Sequence, residues 1–282
     1  MLDELRHFLL VVDHGTVTAA ARAAHLSQPA LSASLRRLET HFGATLLHRG
    51  RSGAEPTAVG RTLIPRAQAV LAAMSDAQQA VREVQGLTRG EVRIGAGGTV
   101  ATYLLPPLLA RFRTRHPNIR IVLSELFPAQ GRDAVDRGEI DLAILPDGPG
   151  EAWGHDDFIL VGAKRVDPEG HPFVTFLSGT HTRAVLNRHF PDADVVIELA
   201  SIAAVKRHVR EGIGIALISS AAVQVELKNR RLFRLSHPLT PLRRELRLVH
   251  RGRESLSPAA AALRDLLAQT PAAARRKSRN KR

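Results

Sequence analysis

The sequence predicts a multi-domain chain: an all-α region at the N-terminus, then one long helix, then a C-terminal α/β domain. Three changes of pattern along the 282 residues indicate these parts. Residues 1–58 contain short amphipathic helical patterns, and residues 59–87 form one pattern rich in Ala, Gln and Arg. From Glu91 onward, short β-branched runs alternate with helical runs, which is typical of a parallel α/β sheet.

The composition limits the classes of function. The formal net charge of +13 favours a polyanionic partner or an anionic membrane surface. Six cations lie in the last eight residues, so residues 271–282 are predicted to be a disordered basic tail with weak, sequence-independent affinity for phosphate. The chain has no cysteine, which excludes disulfides, thiol nucleophiles and thiolate metal sites. No long apolar run or signal peptide is evident, so we expect a cytoplasmic protein without a membrane partner.

Two helical patterns separated by a tight break lie between residues 16 and 42. Thr18 is predicted to cap the first helix, in which small alanines leave space for close packing. Ser27 is predicted to cap the second helix, with Pro29 in its first turn. A buried stripe is predicted at Leu31, Leu35, Leu38 and Phe42. The pattern fits a helix-turn-helix, although an ordinary helical hairpin with solvated cations would share this spacing.

The next segment, "TLLHRGRSGAEPTAVG", predicts a short hairpin with Arg49 and Arg51 at its tip. Such a wing would touch phosphates beside the groove that receives the second helix, and this context favours DNA binding. Base-edge contacts are predicted for Gln28, Pro29, Ser32, Ala33 and Arg36, phosphate contacts for Arg37, Arg49 and Arg51, and further DNA contacts for Thr18 and Ser27.

The long middle pattern begins with Thr57 as a plausible N-cap. Apolar residues then recur at roughly heptad spacing, at Leu63, Val70, Met74 and Val81. A helix of this length would leave its apolar stripe in water if it stood alone. It therefore either lies on a domain or forms a dimer, and its place between two different regions favours the dimerising linker.

The first 60 residues closely resemble the N-terminal winged helix-turn-helix of LysR-type transcriptional regulators. The matches include the Gly15-Thr16 turn, the run from Leu26 to Ser32, Phe42-Gly43 and Arg49, whereas His48 stands where the family usually has Phe. The resemblance covers nearly the whole chain except the basic tail. It implies a homodimer or homotetramer that binds double-stranded promoter DNA and responds to a small molecule, with RNA polymerase as a further partner.

Residues 88–270 are predicted to form an effector-binding domain that resembles periplasmic binding proteins. Subdomain I would comprise about residues 91–157 plus 252–270, and subdomain II about residues 158–251. Two strands, near "FILVG" and "LRLVH", would cross between them. In such sheets, ligands bind where strand C-termini meet helix N-termini.

Two segments, "RIGAGGTVATYLLPPLL" and "FVTFLSGTHTRAVLN", run from a strand through a turn into a helix. Facing helix N-termini favour an anion, and Arg183 would strengthen that preference. The glycines could instead form a simple tight turn, and the hydroxyls could be ordinary N-caps. The resemblance places Thr99 at a frequent ligand position and Pro128 where a polar or small residue is common. The residues predicted to bind the effector are Gly98, Thr99, Val100, Thr102, Pro128, Ser178, Thr180, Arg183 and Ser201.

Motifs of enzymes are absent from the sequence. It contains no HExxH metal motif and no GxSxG nucleophile elbow, and Val100 occupies the third glycine position of a dinucleotide fingerprint. We therefore predict neither an enzyme nor a bound metal or cofactor. The prediction is a LysR-type, sequence-specific transcriptional regulator controlled by a small anionic effector. The alternative is a ligand-independent or architectural DNA-binding repressor whose C-terminal domain only mediates oligomerisation.

Overall fold

A computed structural model describes residues 1–50, 53–84 and 90–270. The chain divides into two compact units, one holding the elements up to the long helix and the other beginning at Glu91. Arg51, residues 85–87 of the predicted linker and the predicted tail 271–282 lie outside the described residues. In the part of the chain that is described, no helix is long and apolar enough to span a bilayer.

The first unit contains the predicted helix-turn-helix and hairpin. Its elements are α1 (Leu2–His14), α2 (Val17–Ala23), α3 (Gln28–Phe42), the antiparallel hairpin β1 (Leu47–Gly50) and β2 (Gly53–Pro56), and the long helix α4 (Ala58–Val84). Phe8 of α1 packs with Leu31, Leu35 and Leu38 of α3 in one buried cluster. Burial of these large side chains is the main force that holds the three helices together.

Two predictions about α3 and one about α2 can be compared with the structure. Ser27 caps α3, because its Oγ accepts a hydrogen bond from the Ala30 amide at 3.3 Å. The cap of α2 is Thr16, not Thr18, since α2 begins at Val17 and the Ala19 amide donates to Thr16 Oγ1 at 3.1 Å. Phe42 is 45% exposed instead of buried, because it lies in the last turn of α3 beyond the end of the core.

Helix α4 is capped by Thr57, whose Oγ1 accepts a hydrogen bond from the Gly60 amide at 3.0 Å. Its 27 residues give a length of about 40 Å. The N-terminal half packs on the helix-turn-helix core through Leu63, Ile64 and Ala67. Farther along, Val70, Met74 and Val81 are exposed at heptad spacing, so an apolar stripe of α4 is left open.

The second unit is an α/β fold. Its elements are β3 (Glu91–Ala96), α5 (Pro106–Arg115), β4 (Arg120–Glu125), α6 (Pro128–Asp136), β5 (Leu142–Pro146), β6 (Glu151–Gly162), β7 (Phe173–Phe176), α7 (His181–His189), β8 (Val195–Leu199), α8 (Ile202–Arg210), β9 (Ala216–Ser219), α9 (Gln224–Lys228), β10 (Phe233–Arg234), β11 (Leu242–Val249) and α10 (Pro258–Gln269). The main sheet has the order β10-β6-β11-β5-β3-β4, and β9 also pairs with β6. Strands β3, β4 and β5 are parallel, as are β7 and β8 in a second sheet.

Strands β6 and β11 contribute side chains to the hydrophobic cores of both subdomains. Trp153 of β6 and Leu246 of β11 belong to the core of subdomain I, whereas Ile159 of β6 and Leu242 of β11 pack in the cores of subdomain II. Two strands therefore cross between the subdomains, as the sequence predicted. This arrangement places the C-terminal ends of the parallel strands of both subdomains around one cavity.

Candidate functional sites: an exposed helix face and a cavity

One face of α3 is available for contact. Leu31, Ser34, Leu35 and Leu38 are buried against the rest of the first unit. Around the opposite face, the predicted DNA-contact residues are exposed or half-buried: Thr18 at the start of α2, Ser27, and on α3 itself Gln28, Pro29, Ser32, Ala33, Arg36 and Arg37. The sequence thus combines a helix anchored by leucines with an open polar and cationic surface.

Arg36 and Arg37 differ in their surroundings. The Arg37 Nε donates to Glu4 Oε1 at 3.0 Å. Hydrogen bonds from the N-terminal ammonium, from the Glu4 backbone and from Arg37 lower the pKa of Glu4 to about 2. Arg36 makes no side-chain hydrogen bond or ion pair with the described residues, so its charge is free to pair with an external anion.

The hairpin is fixed to the helices through its backbone. The Ala54 amide donates to the Gly15 carbonyl at 2.7 Å, next to the turn between α1 and α2. The Glu39 carboxylate on α3 accepts from the Leu46 amide at 3.0 Å. These bonds place the strands of the hairpin beside the helix-turn-helix. The structure describes only the backbone of Arg49 there, and Arg51 lies outside the described residues.

A cavity of about 500 Å³ lies between the two subdomains of the second unit. Four helical segments begin at its wall: a short helix, Val100–Leu104, after Gly97–Thr99, then α6 at Pro128, α7 at Thr180–Thr182 and α8 at Ser201–Ala203. Helix N-termini carry free N–H groups and partial positive charge. Their convergence favours an anionic group in the cavity.

Seven of the nine predicted effector residues line this cavity: Gly98, Thr99, Val100, Thr102, Pro128, Thr180 and Ser201. The hydroxyls of Thr180 and Ser201 cap α7 and α8, accepting from the Arg183 and Ala204 amides at 3.2 Å each. The alternative of ordinary N-caps is therefore observed for these two side chains. Thr99 makes no such cap bond, although it is buried.

Ser178 and Arg183 are not among the cavity-lining residues. The Arg183 guanidinium donates to Glu198 Oε1 at 2.7 Å and to Asn187 Oδ1 at 2.8 Å. These contacts hold it against β8 and its own helix, so the geometry does not support the expectation that Arg183 faces a bound anion. Ser178 is exposed in the turn that precedes α7.

The cationic side chain of the cavity is Arg244 on β11, which the sequence reasoning missed. It is 8% exposed, and its Nη2 donates to Asp156 Oδ2 at 2.7 Å. Asp156 also accepts a hydrogen bond from Ser219 at 2.9 Å, and the guanidinium carbon lies 4.7 Å from the centroid of the Phe158 ring. Burial lowers the pKa of Arg244, and Asp156 counteracts this effect. A signal was present, because strand alternation places Arg244 on the same face as the buried Leu246.

His181 lies close to this arginine. Its ring stacks on Phe158 with the centroids 6.1 Å apart. Burial lowers the pKa of His181, and the positive charge of Arg244 lowers it further, against an opposing effect of Asp147. His181 Nε2 and Arg244 Nε are both buried without a hydrogen-bond partner among the described residues.

Comparison with known proteins identifies the family. The model of the LysR substrate binding domain matches residues 85–272, and that of the bacterial regulatory helix-turn-helix protein, lysR family, matches residues 2–61. The RuBisCO operon transcriptional regulator of Allochromatium vinosum is 30% identical, over 94% of this chain and 95% of that protein. The SDS degradation transcriptional activation protein of Pseudomonas sp. (strain ATCC 19151) is 31% identical, over 98% of this chain and 99% of that protein.

A solved structure shows the same fold. DarR of Vibrio fischeri, in complex with DNA, matches with a TM-score of 0.57 and 18% identity, covering 95% of this chain and 98% of that one. The family models together span both units of the chain. The chain therefore belongs to the LysR family of DNA-binding transcriptional regulators, with an N-terminal helix-turn-helix domain and a C-terminal effector-binding domain.

Proposed function

We propose that this regulator reads a specific promoter sequence through α3 and that a small anionic effector, bound between its two subdomains, controls the reading. The observation that carries the proposal is the cavity where four helix N-termini and the buried Arg244 meet. A ligand that binds both subdomains stabilises their closed arrangement, because it binds that arrangement more tightly. Its role is regulation, not catalysis.

In the DNA complex, α3 enters the major groove, which is about 12 Å wide and admits a helix. Base edges are read by Gln28, Pro29, Ser32, Ala33 and Arg36. Thr18 and Ser27 contact the DNA at the entry of the helix, and Arg37, Arg49 and Arg51 bind phosphates. The exposure of the α3 residues supports these roles.

The oligomer is a homodimer or a homotetramer built from such dimers. The exposed stripe of Val70, Met74 and Val81 on α4 supports a helix-to-helix dimer contact. Two copies of α3 about one DNA turn, or roughly 34 Å, apart would read an inverted repeat. Closure of the subdomains would change the spacing of these helices, and contact with RNA polymerase would convert that change into transcription.

Arg36→Ala tests the DNA-reading role. Loss of a bidentate base contact costs about 1–3 kcal/mol, so affinity for the protein's own upstream DNA should fall about 5- to 150-fold. Affinity for shuffled DNA at the same salt concentration should fall much less. Arg6→Ala, which removes an exposed cation paired with Asp3 on α1, is the charge-matched control. An equal loss on both DNAs would reduce Arg36 to a phosphate contact.

A thermal-shift screen of the full chain tests the effector. Small carboxylates, phosphates, sulfate and aromatic acids are suitable probes, because a ligand at 100 times its dissociation constant adds about 2.7 kcal/mol of stability. Thr99→Val should reduce the shift, whereas Arg183→Ala should not, since Arg183 does not line the cavity. The absence of any stabilising anion would favour the ligand-independent or architectural repressor.

A further inference from the structure

At the end of the cavity near Phe158, here called the inner end, the lining residues Arg244 and His181 each have a polar atom without a partner among the described residues. Arg244 Nε and His181 Nε2 are both buried, and neither makes a hydrogen bond to a described residue. Both side chains line the cavity and pack on Phe158. Unpaired buried polar atoms are uncommon in folded proteins and cost stability. Two such side chains in one cavity wall point to a ligand group that completes their hydrogen bonds.

The charges at this end select a monoanion. Asp156 already compensates the charge of Arg244 through the 2.7 Å contact. Burial and Arg244 lower the pKa of His181, so this imidazole is neutral and can donate from Nε2. The site therefore offers N–H donors and a helix N-terminus, with no net positive side-chain charge. A carboxylate fits this chemistry better than a phosphate dianion, which would need more cations.

The outer end carries the opposite charge. Glu125, the last residue of β4, is exposed, lines the cavity and makes no side-chain hydrogen bond or ion pair with the described residues. Its carboxylate lies over Gly98, where a Cβ would collide with it. Among the described lining residues, Glu125 and Arg244 are the charged ones. An acid at the mouth repels a second anionic group and attracts a cation.

Apolar side chains form much of the remaining wall of the cavity. They include Val100, Leu126, Phe127, Ile144, Phe176 and Ile202. A volume of about 500 Å³ suits a small molecule with an apolar middle section. The cavity wall thus offers a carboxylate site at Arg244 and His181, a set of apolar side chains, and the exposed carboxylate of Glu125.

We propose that the effector is an amino carboxylic acid whose carboxylate binds Arg244 and His181 and whose ammonium group, separated from it by an apolar chain, binds Glu125. This inference rests on the proposed role of the cavity as the effector site. It keeps the carboxylate of the proposed anionic effector and adds a separate ammonium group, so the ligand is a zwitterion.

The experiment measures binding of matched probes to the full-length protein by titration calorimetry at pH 7.5. The probes are unbranched ω-amino acids of four to eight carbons, the same acids without the amine, and the same amines without the carboxylate. At least one ω-amino acid should bind about tenfold or more tightly than both of its matched partners, as expected for a charge-assisted hydrogen bond.

Three variants separate the two ends. Glu125→Gln should bring the affinity ratio of amino acid to plain acid close to one, while binding of the plain acid is retained. His181→Leu should weaken both acids about tenfold, because it removes a carboxylate donor. Arg244→Lys, which keeps the charge beside Asp156, provides a second test of the inner end in case His181→Leu fails to fold. Arg183→Ala is the control and should change neither affinity.

The outcomes distinguish this inference from the function on which it rests. Plain acids that bind as tightly as amino acids, with no effect of Glu125→Gln, would overturn the zwitterion while leaving an anionic effector in place. The same holds if none of these probes binds but another anion protects the protein in the thermal screen. If no ligand of any class binds, the proposed effector function fails as well.

Discussion

The buried ion pair of Arg244 and Asp156 gives the sharpest stability prediction. The two residues are 8% and 5% exposed, and their contact is 2.7 Å long. Asp156→Asn keeps the shape of the side chain but leaves a buried guanidinium without its counter-charge. Removing one partner of a buried pair costs about 3–5 kcal/mol, whereas replacing both partners with apolar residues is often neutral. We therefore expect Asp156→Asn to lower the free energy of unfolding by about 3–5 kcal/mol. The double variant Asp156→Leu/Arg244→Met should stay within about 2 kcal/mol of the wild-type value.

Urea unfolding followed by the fluorescence of Trp153 measures these changes. Trp153 is the single tryptophan of the chain and is 1% exposed in the core of subdomain I, so its signal reports the effector-binding domain. Glu211→Gln is the control, because it breaks an exposed i,i+4 pair with Arg207 and should cost less than about 1 kcal/mol. A loss of stability below about 1 kcal/mol for Asp156→Asn would refute the reasoning, and so would a double variant that is less stable than Asp156→Asn.

Three further predictions concern packing and pH. Gly60→Ala should destabilise the first unit by about 1–3 kcal/mol, because the added Cβ would overlap the Leu46 carbonyl oxygen. The loss of helix seen by circular dichroism should then occur at a lower urea concentration, while the Trp153 transition stays unchanged. Leu35→Ala should lower the free energy of unfolding in the same helical transition by about 2–5 kcal/mol, because Leu35 is fully buried in the helix-turn-helix core. A change below about 1 kcal/mol would contradict that packing. The folded pKa of His181 is lowered, so the stability that this residue contributes is present above its unfolded pKa of about 6.5 and is lost as the pH falls through the folded pKa. The free energy of unfolding, measured by Trp153 fluorescence, should therefore fall less between pH 7 and pH 5 in His181→Gln than in the wild type. Parallel curves for the two proteins would exclude His181 as the source of the pH dependence.

Local signals in the sequence were sufficient for much of the fold. Ser27 and the leucines of α3 follow from capping and periodicity, which depend on residues a few positions apart. Phe42 continued the same spacing, but periodicity does not reveal where the neighbouring core ends. Thr16 and Thr18 are both competent caps, and only the actual start of α2 at Val17 decides between them.

Some residues of the cavity could likewise be predicted from the sequence, and others could not. Glycines and hydroxyls at helix starts, such as Gly98 and Ser201, were found because strand-turn-helix patterns are local. The contact of Arg183 with Glu198 was not foreseen, because Glu198 lies on a strand, 15 residues away. Arg244 was missed because its significance depends on Asp156, 88 residues earlier in the chain. Charged groups take their roles from tertiary partners, which spacing alone does not identify.

The central claim, that α3 reads DNA sequence, is tested most directly by selecting bound DNA from a random-sequence library with the full-length protein and with Arg36→Ala. The account predicts an enriched inverted repeat whose half-sites lie about one DNA turn, roughly 10 base pairs, apart. It also predicts that Arg36→Ala relaxes the preference at one position of each half-site and leaves the spacing unchanged. No enriched motif, or the same motif at every position with Arg36→Ala, would contradict it.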